Sequence, residues 1–514
     1  MTKKTTIAAF FASLVVALML AFATTAYAAQ PPESTALYIH KHMLTNITDA
    51  GDPGTGAVED NVAGDPLNGV VFKIYRVDTT TSTPAAGKIY MVNGNTLSVI
   101  DADGSTVLGT YPVTQQGSVT TADDGTAEMG SFSEGVYVVV EDTGSSAPVN
   151  AITGKDVEVN EPCAPFIVSL PMTNADGNDY LSEVHVYPKN GAIVIDKKAD
   201  ITDGNAVVVG SVITYTITST IPNGIEKSQQ YDVTDQLNDA LDWTIPSDSY
   251  GATVTTLPGG EVLTYGSDYM LSYSDSRLLT VSFTSAGRAK LAGSISVQVE
   301  FQATVNDSIL SSPDLTVGND AHLDFTNEKG DKFAADTDGD GPKVHTAGIE
   351  VSKLDQNQAP LNGATFKIAT SEQNAKDGLF LRLDPSTKVL YDAGTNGWSN
   401  LNEGDDYTIS PRNTDSFVGL KDKADDAFQS YWIVETVAPT GYNLIATPVE
   451  VTFNGSEDGY VAHVDVVNHQ GFTLPVTGGM GTILFVAVGI VLLGTAVIIV
   501  IAPWKRRKAN DIQK

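Results

Sequence analysis

Ser211-Val212-Ile213-Thr214-Tyr215-Thr216-Ile217-Thr218 alternates apolar with hydroxyl-bearing residues, and Ser294-Ile295-Ser296-Val297-Gln298-Val299-Glu300-Phe301 alternates in the same way. An extended chain turns successive side chains to opposite faces, so each stretch reads as a strand with one dry and one wet side. The β-branched and aromatic residues in both suit a pleated surface. Outward from these stretches, short runs rich in Val, Thr, Ile and Tyr recur between Gly, Asp, Asn and Pro, and few long amphipathic helices are visible. The pattern predicts an all-β chain of antiparallel strands packed as β-sandwiches.

A weak internal repeat divides the chain. Asp65-Pro66-Leu67-Asn68-Gly69-Val70-Val71-Phe72-Lys73-Ile74 is matched by Ala359-Pro360-Leu361-Asn362-Gly363-Ala364-Thr365-Phe366-Lys367-Ile368. Later in each unit, Gly135-Val136-Tyr137-Val138-Val139-Val140-Glu141 is matched by Ser430-Tyr431-Trp432-Ile433-Val434-Glu435. The first and third units therefore share one fold, and the middle unit, which lacks both motifs, is a different sandwich. Linkers are expected near Lys189-Asn190-Gly191 and from Asp336 to Pro342, giving domains at 29–190, 191–343 and 344–473. That count agrees with roughly 150 residues per domain.

The two ends carry processing signals. Lys3 and Lys4, the apolar stretch Ile7 to Phe22 and Ala26-Tyr27-Ala28 read as a signal peptide over residues 1–28 that is cleaved before Ala29. Near the other end, Leu474-Pro475-Val476-Thr477-Gly478 precedes an apolar run, Ile483 to Trp504, placed in a predicted transmembrane helix over residues 481–504. Lys505-Arg506-Arg507-Lys508 then opens a basic tail, residues 505–514, which such a cluster holds in the cytoplasm.

Composition excludes several classes of function. The whole chain has 30 basic and 62 acidic side chains and a net charge of −32. Lys3, Lys4, Lys505, Arg506, Arg507, Lys508, Lys514 and Asp511 lie outside 29–477, which leaves 23 basic against 61 acidic side chains, a charge of −38. Such a surface repels polyanions, so nucleic acid is excluded as a partner. Cys163 is the only cysteine, so the chain has no internal disulfide, and this cysteine is expected to be a buried bystander. The seven histidines have no motif spacing; there is no zinc set, nucleophile elbow or Ser/His/Asp pattern, and no enzyme is expected. Asp336, Asp338 and Asp340 in Asp336-Thr337-Asp338-Gly339-Asp340-Gly341 fit the start of a calcium loop, but Ala347 stands where the closing Glu belongs. An acidic linker is the favoured reading, and no cofactor is expected.

The remaining motifs carry a family resemblance. The pentapeptide, apolar span and basic tail, in that order, resemble the cell-wall sorting signal of Gram-positive bacteria and match Leu-Pro-x-Thr-Gly in full. Tyr180-Leu181-Ser182-Glu183-Val184-His185-Val186-Tyr187-Pro188-Lys189-Asn190 resembles the pilin motif Trp-x-x-x-Val-x-Val-Tyr-Pro-Lys, with Tyr180 in the Trp position. Tyr431-Trp432-Ile433-Val434-Glu435-Thr436-Val437-Ala438-Pro439-Thr440-Gly441-Tyr442 resembles the E-box of collagen-adhesin B-type domains. On these residues the whole chain resembles the backbone (major) pilins of Gram-positive sortase-assembled pili. The resemblance implies three tandem immunoglobulin-like sandwiches, the first and third of collagen-adhesin B-type. It also implies that a sortase cysteine attacks the Thr477–Gly478 bond, and that Lys189 of the next subunit resolves the acyl-enzyme as an amide. The implied partners are pilin-class and housekeeping sortases, other copies of the chain, minor tip and base pilins, peptidoglycan and a host receptor; the implied location is a cell-wall-anchored fimbria.

The family also places intramolecular isopeptide bonds between a buried lysine and an asparagine, assisted by a protonated acid. Glu435 alternates with its neighbours on a strand and can point inward, where a lone acid is costly. Its implied partners are Lys353, on the face of Ile349 and Val351, and Asn468 after Val464-Asp465-Val466-Val467. In the middle unit Lys197 shares a face with Ile193 and Ile195, and the implied set is Lys197, Asn319 and Asp235, with Lys198 as the alternative lysine. Lys41, Asn190 and Glu141 occupy analogous places in the first unit. A wall adhesin anchored singly, without polymerising, is the alternative function; the pilin motif, which such an adhesin does not need, favours the shaft subunit.

Overall fold

The computed structural model describes residues 30–44, 54–102, 104–201, 203–247, 250–337, 339, 341–425, 427–455, 459–471 and 485–498. The chain is mostly β-sheet and parts into two compact units. One comprises Met1–Ala347, Ser386–Val389 and Gly419–Phe428; the other comprises Gly348–Pro385, Leu390–Val418 and Gln429–Lys514.

In the first part of the larger unit, six strands run in the order Phe166–Leu170, Gly135–Glu141, Val71–Val77, Val107–Thr120, Thr96–Ile100, Ile89–Asn93. A second sheet runs Val149–Asn150, Asp65–Asn68, His42–Leu44, Lys189–Ile193, Glu158–Glu161, and a third runs Glu183–Val186, Thr35–His40, Thr126–Phe132. Leu37, Ile39, Phe72, Ile74, Tyr137, Val139 and Val184 close a core between them. The next part has two sheets. Ser296–Val305 pairs with Val212–Thr220, Leu241–Thr244 and Ala252–Leu257, and Ile195–Asp200 lies on the far edge of Val212–Thr220. Facing it are Tyr269–Tyr273, Leu278–Phe283, Gln230–Gln236, Ala321–Thr326 and Lys332–Asp336. The alternation in the sequence decides the packing: Ile213, Tyr215 and Ile217 enter one large core with Val297, Val299 and Phe301.

In the smaller unit, Ala347–Asp355 lies between Thr414–Leu420 and Val461–Asn468, while Thr365–Ala369 and Ser430–Val437 centre a four-stranded sheet. Buried Ile349, Val351 and Phe417 come from the first of these sheets, and Phe366, Ile368 and Ile433 from the second.

Two expectations need correction. The strands are not all antiparallel. Thr35–His40 pairs in parallel with Glu183–Val186, His42–Leu44 with Lys189–Ile193, and Ala347–Asp355 with Val461–Asn468. Each pair joins an early and a late segment, and with no hairpin between them the direction is free. Nor is Lys189-Asn190-Gly191 a linker: these residues open a strand, and Asn190 is fully buried. The expected span 481–504 is described only over residues 485–498, a helix with its large apolar side chains exposed. Among the described residues, no helix is long and apolar enough to cross a membrane.

Candidate functional site: a strand-end lysine and three buried lysine triads

Lys189, half-buried, is the first residue of its strand and pairs with His42. The strand end is pinned from both sides. The Tyr187 ring stacks on His40 at 4.7 Å, and its hydroxyl accepts a hydrogen bond from the Glu59 amide at 2.8 Å. Fully buried Lys41 lies one residue before the paired strand. Beside Lys189 opens a groove of about 680 Å³, walled by Phe166, Val168 and Met172 and floored by Gly54 and Gly56. A side chain at Gly56, whose φ is +83°, would press on Met172 and Leu181. Its lining is mixed, with Glu161, Ser169, His185 and Lys189 beside the apolar side chains.

One residue on, Asn190 faces inward. Lys41 Nζ donates to Asn190 Oδ1 and, at 3.0 Å, to Glu141 Oε2, and Asn190 Nδ2 donates to Glu141 Oε1 at 2.7 Å. Burial holds the Lys41 ammonium below the usual lysine range, against the opposing charge of Glu141. Cys163 is no bystander. Its backbone N–H donates to Asn190 Oδ1 at 2.7 Å and to Glu141 Oε2 at 3.2 Å, while its thiol is only half-buried and donates to the Ala164 carbonyl. Nothing in the sequence signals that main-chain role.

In the next sheet pair, Lys197 points inward from Ile195–Asp200 and bonds Asp235; Lys198, the alternative lysine, has its side chain 80% exposed. Lys197 Nζ lies 4.6 Å from the Tyr215 ring centroid and 5.5 Å from that of Phe301. Burial lowers Lys197 to about 8 and raises the Asp235 carboxyl, so both shifts favour a neutral amine beside a neutral acid. Asn319 sits between the strands Thr316–Gly318 and Ala321–Thr326, 2% exposed, against Asp235 and Tyr215.

In the smaller unit, the parallel register sets Lys353 opposite Val466 and Asp355 opposite Asn468, so Lys353 and Asn468 occupy one buried face of adjacent strands. Lys353 Nζ donates to the Val466 carbonyl at 2.7 Å; Asn468 Nδ2 donates to both Glu435 oxygens at 2.9 Å and to the Asn443 carbonyl at 2.9 Å. Burial lowers Lys353, opposed by the charge of Glu435. Among the described residues, six buried side-chain polar atoms make no hydrogen bond: Asp235 Oδ1, both Asn319 side-chain atoms, Asn468 Oδ1, Tyr215 Oη and Thr35 Oγ1. Five of the six thus gather at these two triads. Buried polar atoms are almost always paired, so this gathering sets the two triads apart from the rest of the described core.

Of the calcium-loop candidates, only Asp336 lies among the described residues. Asp336 bonds His322, and Asp338 and Asp340 lie outside the described residues. The N–H groups of Gly339 and Gly341 and the Thr337 hydroxyl instead point at Asp320 Oδ1, at 3.1, 3.0 and 2.9 Å, which makes the loop a cradle for an anion. Leu474, Pro475, Val476, Thr477 and Gly478 also lie outside the described residues, as does the signal peptide.

Comparison with known proteins agrees with the sequence resemblance. The family model for the N-terminal D1 domain of Gram-positive pilin subunits matches residues 32–191. The type 2 fimbrial subunit of Actinomyces naeslundii is 28% identical over 92% of this chain and 90% of its own length. The type 1 fimbrial subunit of Actinomyces viscosus is 28% identical over 93% of this chain and 92% of its own. Among solved structures, the full-length major pilin SpaD of Corynebacterium diphtheriae is 23% identical, with a TM-score of 0.43, over 86% of this chain and 98% of that one. The chain is thus similar to the D1 domain of Gram-positive pilin subunits over residues 32–191 and to fimbrial subunits over most of its length, and those relatives are structural subunits rather than enzymes.

Proposed function

We propose that this pilin relative is the repeating shaft subunit of a covalent pilus, exported, polymerised by a pilin-class sortase and finally fixed to peptidoglycan by a housekeeping sortase. Thr477 of one copy becomes joined to Lys189 of the next. Minor pilins at tip and base complete the fibre, and a host receptor is its adhesive target. The subunit is read as three immunoglobulin-like sandwiches, residues 29–190, 191–343 and 344–473, with the first and third of collagen-adhesin B-type.

The observation that carries the assembly reading is Lys189, held at a pinned strand end and lining a groove, within the stretch matched by the pilin family model. An amine so placed can meet an acyl-enzyme, and the mixed apolar and polar groove gives an extended peptide a bed beside it. The three triads support a second covalent feature. In each, the neutral lysine amine attacks the asparagine Cγ, the C–Nδ2 bond breaks, and ammonia leaves with a proton passed from the lysine nitrogen by the neighbouring acid. The product is a Lys–Asn amide, one ammonia lighter, about 17 Da per bond.

A denaturing immunoblot of cell-wall extract tests the assembly. The native chain gives a high-mass ladder, and Lys189→Ala collapses it to monomer. A single wall-linked monomer from both chains would refute polymerisation through Lys189 and leave a singly anchored adhesin.

A further inference from the structure

The proposed cross-linking leaves one buried group without a task. The side chain of Tyr215 is fully buried on the inward face of Val212–Thr220, opposite Phe301 and stacked on it at 5.5 Å. Its ring packs against Lys197, and its hydroxyl reaches the Asn319 amide, yet it makes no aligned hydrogen bond. A tyrosine ordinarily buries its ring only where the hydroxyl finds a partner, as Tyr231 does with the Thr220 carbonyl at 2.6 Å. Tyr215 breaks that habit against a reacting amide whose carbonyl, like that of Asn468 in the smaller unit, is also unpartnered.

The first triad shows what is missing. There Asn190 Oδ1 accepts the Cys163 N–H at 2.7 Å. When an amine adds to an amide carbon, the oxygen takes up negative charge, and a fixed donor at that oxygen lowers the barrier. Asn319 Oδ1 has no donor, and Tyr215 carries an unengaged hydroxyl against the same amide. Resting on the cross-linking reading above, we propose that Tyr215 is a catalytic residue of the Lys197–Asn319 reaction, its hydroxyl hydrogen-bonding Asn319 Oδ1 as that atom becomes an oxyanion. Lys197 Nζ bonds to Asn319 Cγ, and the Tyr215 O–H supports the oxyanion without giving up its proton. The carbonyl then reforms as the C–Nδ2 bond breaks, and Asp235 carries the proton from Lys197 nitrogen to the departing ammonia. Burial pushes the Tyr215 hydroxyl well above the usual tyrosine range, which keeps it a donor throughout.

The test follows the full chain through time after synthesis, by digestion and mass spectrometry of the Lys197–Asn319 and Lys353–Asn468 linked peptides. Tyr215→Phe keeps the ring against Phe301 and Lys197 and removes only the donor. The expected result is a middle bond at least tenfold slower to form, with the Lys353–Asn468 bond unchanged in the same molecules. Equal rates in Tyr215→Phe and the parent chain would overturn the proposal. Absence of the Lys197–Asn319 peptide from the parent would instead overturn the cross-linking reading itself. Asn319→Ala, which cannot link, is the folding control: if protease cuts Tyr215→Phe within residues 191–343 where it spares Asn319→Ala, the hydroxyl serves packing and the catalytic role is refuted.

Discussion

At the scale of single residues, Glu435 shows how much alternation reveals. Tyr431, Ile433 and Glu435 are the buried positions of their strand, so the acid's inward direction was legible before any neighbour was known. The same reasoning separates Lys197 from Lys198, as the exposures show. What pattern cannot show is which group from a distant segment meets the inward one: neither the Cys163 N–H nor the Tyr215 hydroxyl has a signature, because a main-chain donor and a core aromatic look the same wherever they sit. Glu435→Gln keeps the shape of the acid and removes its proton-carrying capacity. Intact mass should then rise by about 17 Da once the substitution itself is allowed for. Unfolding should become easier by about 4–5 kcal/mol, the loop-closure value for a link spanning roughly a hundred residues. An unchanged mass would exclude Glu435 from the reaction. His322, between Asp336 and Asp324, gives a pH prediction. Burial alone lowers its affinity for a proton, but the two carboxylates outweigh burial and raise the pKa above 6.5. A raised pKa means that its contribution is complete below pH 6.5 and disappears as pH climbs through the folded value. The melting difference between the parent and His322→Gln should therefore be larger at pH 5.5 than at pH 8.5; an equal difference at both would show that the ion pairs contribute nothing.

At the scale of elements, individual strands could be read from the sequence, whereas their neighbours could not. Period-two alternation fixes which face is buried and is blind to direction, so the parallel pairing of Ala347–Asp355 with Val461–Asn468 has no local sign. Lys189-Asn190-Gly191 was expected to be a linker for a related reason: glycine and asparagine usually mark turns, yet here Gly191 lets the strand pass close to Glu161, whose Cβ would stand 2.9 Å from an added methyl. The loop after Lys332–Asp336 matters more than its acidic composition suggests. Gly341 donates to Asp320, and an added Cβ would lie 2.2 Å from the Asn319 carbonyl oxygen. Gly341→Ala must therefore displace Asn319 from Asp235. The fraction of chains carrying the Lys197–Asn319 link should fall several-fold, with Lys353–Asn468 unaffected, by the same peptide analysis. A full yield of both would mean that the loop does not position Asn319.

At the scale of the whole molecule, load in the proposed fibre enters at Lys189 and leaves at Thr477, so residues before Lys189 do not lie in the direct path of tension. The proposed links Lys197–Asn319 and Lys353–Asn468 would each shunt that path around the residues between them. Pulling single chains between residues 189 and 477 should show almost no unfolding extension. Lys197→Ala should release roughly 120 residues, about 400 Å of extra length at full stretch. Identical extension curves for the two chains would show that residues 197–319 carry force through hydrogen bonds alone. At each of the two proposed cross-links the groups come from far-apart segments that only the fold brings together. An amide made there outlasts the fold that made it. Boiling or denaturant can erase the shape of a subunit but not the record that it was once attained, so the mass of every chain in an old fibre is a ledger of its own past: a molecule that never matured stays heavier for life, and can be counted.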